Sequence, residues 1–220
     1  INNFGSYVFI RDLESGAVWS STYQPTLVEP ESYQVVFSPD KAEFQRRDFN
    51  IFTHSEITVS PEDNVEIRRL VFTNLSEQKR VLEITSFGEV ALNSARADSA
   101  HPAFSKMFIE SSFDSDLDTL FFSRRPRSRH DKRPYFFHSV SMRVVWDRVQ
   151  FDSSRFSFIG RGRSIHNPGA IAAGLPLAGL VLNRVAPVRL ADLSADQAGA
   201  GAQRLRAAEP SDDSIEALTA

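Results

Sequence analysis

The residues best equipped for recognition chemistry in this 220-residue chain are arginines. Arg124, Arg125, Arg127, Arg129 and Arg133 fall within ten positions, joined by His130 and Lys132, and a second pair, Arg161 and Arg163, alternates with Gly160 and Gly162. A guanidinium presents its donors as a planar fork that matches carboxylates, phosphates and sugar hydroxyls, which an ammonium does not. The run is too charged to be core, and two readings stay open. One is binding of a phosphate or carboxylate; the other, the blander, is an ion-pair interface with acidic residues of an adjoining domain. Nucleic-acid binding is not indicated, because the formal charge is −3 and such a site wants a basic domain with interleaved aromatics. Other chemistry is poorly marked. His54, His101, His130, His138 and His166 are dispersed without a zinc or calcium motif, and with no cysteine there is no thiolate, disulfide or Cys-based metal site. Gly160-x-Gly162 lacks the rest of a phosphate loop, and no G-x-S-x-G elbow exists. Asp63, Glu89, Asp98, Asp114, Asp116 and Asp118 read as loop charges in no pattern that marks a glycosidic acid or nucleophile. No catalytic residue, metal or cofactor is therefore assigned.

The elements that must position these groups are strands. Eighteen Phe against two Met make a heavy load of large, β-favouring side chains. Tyr7–Ile10, Ala17–Trp19, Tyr33–Phe37 and Phe44–Val59 are apolar runs cut by turn chemistry such as Ser38-Pro39-Asp40 and Ser60-Pro61-Glu62-Asp63-Asn64. Two β-rich runs within Val65–Val90 flank a polar connection at 74–79 and read as a hairpin, with a bulge near Arg69-Leu70. Asn93–Phe104 reads as a polar connection, Lys106–Glu110, Leu120–Phe122, Phe136–Trp146 and Phe151–Ile159 as further strands, and the aromatics flanking the arginines as core. Many short strands and no long amphipathic helix predict an all-β, antiparallel β-sandwich. Beyond residue 190 the composition shifts to Ala, Gly, Ser and Asp, so residues 1–190 form the expected domain and 191–220 a poorly ordered or weakly helical tail, with a capping-box spacing at Asp213 and Glu216. The opening Ile1-Asn2-Asn3-Phe4 has no signal-peptide character and reads as a piece of a longer polypeptide. Ala170–Leu182 is too short and too interrupted to span a bilayer.

Six ordered segments carry a resemblance: Tyr7–Ser20, Val59–Arg69, Leu82–Val90, Ala97–Lys106 (ADSAHPAFSK), Ser123–Ser128 (SRRPRS) and Arg155–Arg163 (RFSFIGRGR). Together they resemble the β-sandwich that precedes the catalytic barrel in glycoside hydrolase family 94, formerly glycosyltransferase family 36, and within it most the carboxy-terminal module of cyclic β-1,2-glucan synthases. The resemblance spans about residues 5–190 and implies a supersandwich of the galactose mutarotase-like kind. The family departs from this chain at Val181-Leu182-Asn183-Arg184-Val185, where it tends to read V-L-D-P-I. The family's chemistry is inverting phosphorolysis or synthesis of a glucosidic bond in a downstream (α/α)-barrel. This chain is thus expected to be a non-catalytic accessory domain of a glycosyl-transferring enzyme, supporting the barrel by packing, dimerisation or contact with a β-glucan or oligosaccharide. Asp98, His101, Arg124, Arg125, Arg127, Arg161 and Arg163 are its candidate sugar- or interface-binding residues. The resemblance also implies a cytoplasmic domain of an inner-membrane-associated bacterial protein. Two alternatives make different demands. A stand-alone carbohydrate-binding module needs Trp19 or Trp146 exposed as a stacking platform, and a mutarotase-like enzyme needs His101 or His138 to converge with a carboxylate.

Overall fold

The computed structural model describes residues 5–131, 133–142, 148–174, 188–193 and 214–219. In chain order the elements are β1 (Ser6–Asp12), β2 (Val18–Ser20), β3 (Ser32–Phe37), β4 (Lys41–Asp48), β5 (Ile51–Val59), β6 (Glu66–Asn74), β7 (Leu82–Gly88), α1 (Ala95–Ala100), α2 (Pro102–Lys106), β8 (Ile109–Asp114), β9 (Thr119–Arg124), β10 (Tyr135–Met142), β11 (Arg148–Phe151), α3 (Arg155–Ile159), α4 (Gly169–Ala172), β12 (Val188–Leu193) and β13 (Ser214–Thr219). The strands pair antiparallel throughout, in one sheet ordered β11-β12-β7-β1-β2 and another ordered β3-β4-β5-β6-β13-β10-β9-β8. This is the expected antiparallel sandwich.

Alternation on the facing strands builds the main core. Val8 and Ile10 of β1, Leu82 and Ile84 of β7, Leu70 and Phe72 of β6, and Leu120 and Phe122 of β9 meet between the sheets with Trp19 and Ile109. The smaller sheet is buried on its other face too: Phe9 and Phe87 pack under α3 and α4 against Phe158, Ile159, Ile165 and Ile171. That double burial explains why Tyr7–Ile10 is a continuous apolar run rather than an alternating one. Among the described residues no helix is long and apolar enough to cross a membrane.

Several local expectations change. β6 and β7 are not a hairpin: β6 pairs with β5 and β13, while β7 pairs with β1 and β12. The connection carries the chain from one sheet to the other, folded on itself by Asn74, whose Oδ1 accepts from the Ser76 backbone and hydroxyl and whose Nδ2 donates to the Gln78 carbonyl. No bulge is needed near Arg69, because β6 keeps one register with β5 from Glu66 to Asn74 and simply turns Arg68 toward the same face as Leu70 and Phe72. The Asn93–Phe104 connection folds into α1 and α2, and Lys106 ends α2 instead of starting a strand. Of the expected strand Phe151–Ile159, only Phe151 belongs to a strand; Ser154 accepts from the Ser157 N–H and caps α3. In the tail, Ser214–Thr219 is a strand rather than a helix, with Ile215 opposite Phe72 and Ala217 opposite Leu70. Six residues are too few for a helix to hold alone, whereas pairing with β6 and β10 satisfies their backbone. Asp213, the rest of 194–213, residues 181–187 with the family departure, and Trp146 lie outside the described residues.

Candidate functional site

The Arg124–Arg133 run connects β9 to β10 and lies against α1 and α2. Ser94 opens α1 by accepting from the Ala97 N–H, and Pro102 sits at the start of α2, where its missing N–H costs nothing. Arg124 at the end of β9 ties the two parts together: Nη1 donates to the Ser105 carbonyl at 2.7 Å, and its guanidinium lies 5.4 Å from the Phe108 ring centre. The Arg125 N–H donates to the Phe108 carbonyl at 2.8 Å. Arg127 rides over Phe104 and Phe108, 5.8 Å from each. Asp131 holds the turn by accepting from the Arg127 and Ser128 backbone N–H groups and the Ser128 hydroxyl. The hydroxyl first, then those amides, keep its carboxyl below the usual range.

These contacts leave a cleft of about 420 Å³ bounded by Asn93, Ala97, Arg124, Arg125, Arg127 and Asp131. Among the described residues, the guanidinium of Arg125 has no hydrogen-bond or ion-pair partner and that of Arg127 has only its two rings. Beside it Phe104 and Met107 are 48% and 58% exposed. Of the residues singled out by sequence, Arg124, Arg125 and Arg127 line the cleft. Asp98 is buried in α1 next to it, with Oδ1 lacking any hydrogen bond among the described residues, and His101 is exposed at the junction of α1 and α2. Arg161 and Arg163 are elsewhere. They occupy the turn between α3 and α4, where Gly160 and Gly162 adopt φ of 83° and 72° and Arg163 donates to Asn167. They do not line the cleft.

A charge cluster around the buried Glu89 joins α2 to α3. Glu89 accepts from Lys106 and from Arg155 Nε. Burial pushes its carboxyl up, but the hydrogen bonds from Arg155 and Lys106 outweigh this and hold it below the usual range.

Two groupings escaped the sequence. On the outer face of β4 and β5, Glu43, His54 and Glu56 place possible ligand atoms within 4.8 Å of one another. Their carboxylates are already matched by cations: Lys41 Nζ lies 3.1 Å from Glu43 and 2.8 Å from Glu56, and Arg69 lies 2.7 Å from Glu56. Lys41 first, then Arg69, holds the Glu56 carboxyl down at about 2. This is a cross-strand ion-pair network. The other grouping is Ser86 with His138, one from each sheet, whose Oγ and Nε2 are 2.8 Å apart.

The exposed aromatics also differ from expectation. Phe122 is core, but Phe121, Tyr135, Phe136 and Phe137 are partly exposed, and Trp19 is fully buried against Phe49. The one described tryptophan is therefore no stacking platform. Neither His101 nor His138 has a carboxylate as hydrogen-bond or ion-pair partner among the described residues.

Comparison with known proteins agrees with the architecture. Residues 1–195 match the family described as glycosyl hydrolase 94, supersandwich domain. The chain is 33% identical over 176 residues to the cyclic β-(1,2)-glucan synthase NdvB of Rhizobium meliloti (strain 1021), a stretch covering 80% of this chain and 6% of that protein. It is 25% identical over 174 residues to N,N'-diacetylchitobiose phosphorylase of Vibrio proteolyticus, covering 77% of this chain and 21% of that one. A third relative, 3-O-β-D-glucopyranosyl-β-D-glucuronide phosphorylase of Paenibacillus borealis, is 31% identical over 78 residues, 36% of this chain and 10% of its own. The sandwich, its two sheets and the ordered segments around the arginine cleft thus lead to one conclusion: the chain belongs to the glycosyl hydrolase 94 supersandwich family.

Proposed function

We propose that this chain is a non-catalytic, carbohydrate-associated β-sandwich that supports an (α/α)-barrel catalytic domain of a β-glucan-processing glycosyltransferase or phosphorylase, in the cytoplasm. The observation that carries the reading is the surface built by α1, α2 and Arg124–Arg127. It combines exposed Phe104 and Met107 with the outward forks of Arg125 and Arg127. Aromatic residues, methionine and arginine are the types enriched at the centres of protein interfaces, and an unpaired fork over an aromatic ring offers bidentate donors to a carboxylate on the docked partner. The same donors suit glucan hydroxyls at the rim.

The test is hydrogen exchange on this chain with and without the separately produced catalytic barrel of the related Rhizobium glucan synthase. Protection concentrated in residues 94–107 and 123–131 supports the reading. Protection elsewhere, or none, contradicts it. The chain alone is expected to show no transfer or phosphorolysis of β-1,2-glucans.

A further inference from the structure

At one end of the sandwich the facing strands change character together. Along the inner face of β1 the sequence runs Ile10, Val8, Ser6, and along β7 it runs Leu82, Ile84, Ser86. Along β6 it runs Phe72, Leu70, Arg68, and along β10 it runs Val140, then His138. Four strands from both sheets thus replace apolar side chains with polar ones at the same end. The result is a pocket of about 150 Å³ lined by Ser6, Arg68, Ser86 and His138, with Tyr135 and Phe136 in its wall. A single substitution of this kind is ordinary, but four converging on one cavity build a site.

The chemistry of the lining selects the occupant. Arg68 is tied down, with Nε donating to Glu66 Oε1 at 2.6 Å and Nη1 to the Ser6 carbonyl at 2.7 Å. An anion would therefore find its guanidinium engaged, and a cation would find the Glu66 carboxylate engaged. His138 is neutral, because burial and then the nearby Arg68 charge lower its pKa to about 4. A neutral imidazole has one donor and one acceptor. Nε2 meets Ser86, and Nδ1 has no protein partner among the described residues. Hydroxyls, which both donate and accept, match this set, and the two aromatic rings offer contact to C–H faces. A volume of about 150 Å³ is what one six-membered ring fills.

We propose that this pocket recognises a single uncharged hexose ring, the terminal glucosyl unit of a glucan. The choice of sugar rests on the carbohydrate reading above; the preference for an uncharged polyol rests on the pocket itself. The test is NMR of the histidine ring nitrogens in the whole chain, titrated with D-glucose, the β-1,2-linked glucobiose and glucose 6-phosphate. A saturable shift of His138 with the two neutral sugars, at a Kd of about 1 mM, is expected. It should weaken about tenfold in Ser86→Ala, weaken also in the exposed-site variant Tyr135→Ala, and persist unchanged in Arg125→Glu/Arg127→Glu. No shift of His138 at saturating sugar overturns the proposal, as does tighter binding of the phosphorylated sugar. A shift confined to His101, beside the arginine cleft, also overturns it, while leaving the interface reading intact. A wild-type chain that shows the His138 shift but does not dock the barrel would defeat that reading and not this one.

Discussion

Arg46 offers the sharpest test of how the sandwich holds its shape. Its side chain is fully buried, and it donates from Nε and Nη2 to the two Asp48 oxygens at 2.6 Å each. It also donates to the carbonyls of Thr22 at 2.7 Å and Val28 at 3.2 Å, so one guanidinium fixes the connection between β2 and β3 to the sheet. Arg46→Met keeps an unbranched, apolar stem but removes every donor. The Asp48 carboxylate, 1% exposed, is then left charged without a partner, and two carbonyls lose their bonds. Breaking a buried pair in this way costs about 3–5 kcal/mol, a large part of the roughly 5–15 kcal/mol that holds a domain together. At about 2–4 °C per kcal/mol for a chain of this size, Tm should fall by about 6–20 °C. Removing both charges in Arg46→Met/Asp48→Leu leaves no stranded carboxylate, so the double variant should be more stable than the single one. Urea unfolding followed by far-UV circular dichroism measures both, and Asp48→Leu alone, measured beside them, closes a double-mutant cycle. A loss below about 1 kcal/mol for Arg46→Met, or a double variant weaker than the single, would refute the reasoning.

Other consequences follow from the same geometry. His138 is buried neutral with its pKa lowered from 6.5 to about 4, so the unfolded chain takes up a proton before the folded one does. Stability should be full above pH 6.5 and fall by about 3 kcal/mol down to pH 4, a limb that His138→Gln should flatten in urea titrations. Glu56, lowered from 4.5 to about 2, adds a separate loss that begins below pH 4.5 and is complete once pH falls through 2. Phe158 stacks on Phe87 at 4.9 Å and is fully buried, so Phe158→Ala should cost about 3–5 kcal/mol and raise hydrogen exchange across residues 155–172. Arg133→Ala removes an exposed pair with Glu110 and should change stability by less than about 1 kcal/mol.

The sequence revealed what local chemistry decides. The strands from Tyr7 to Val59 and the turn at Ser38-Pro39 were legible because alternation and turn residues act over a few positions. The partner of each strand was not legible. Val65–Val90 has the pattern of a hairpin, yet β6 and β7 join different sheets, because both runs could bury one face and only the whole core decides where. Helices α1 and α3 are too short for periodicity to show, and rest on the caps Ser94 and Ser154. The arginine cleft was half visible: the cations stood out, but Phe104 and Phe108 beneath them did not, since nothing local separates a core phenylalanine from a stacking one. Ser86 and His138 are 52 positions apart and meet only across the sandwich. The cross-strand network of Glu43, His54 and Glu56 likewise exists only once β4 and β5 are in register.

The central claim is that the surface of α1, α2 and Arg124–Arg127 docks a catalytic barrel. Its most direct test is the affinity of this chain for the barrel of the related Rhizobium glucan synthase, measured by calorimetry for the wild type and for Arg125→Glu/Arg127→Glu. Saturable binding by the wild type and a loss of at least about a hundredfold in the variant, from two reversed charges at an interface, is the predicted result. A folded wild type that does not bind, or a variant that binds as well, would contradict it.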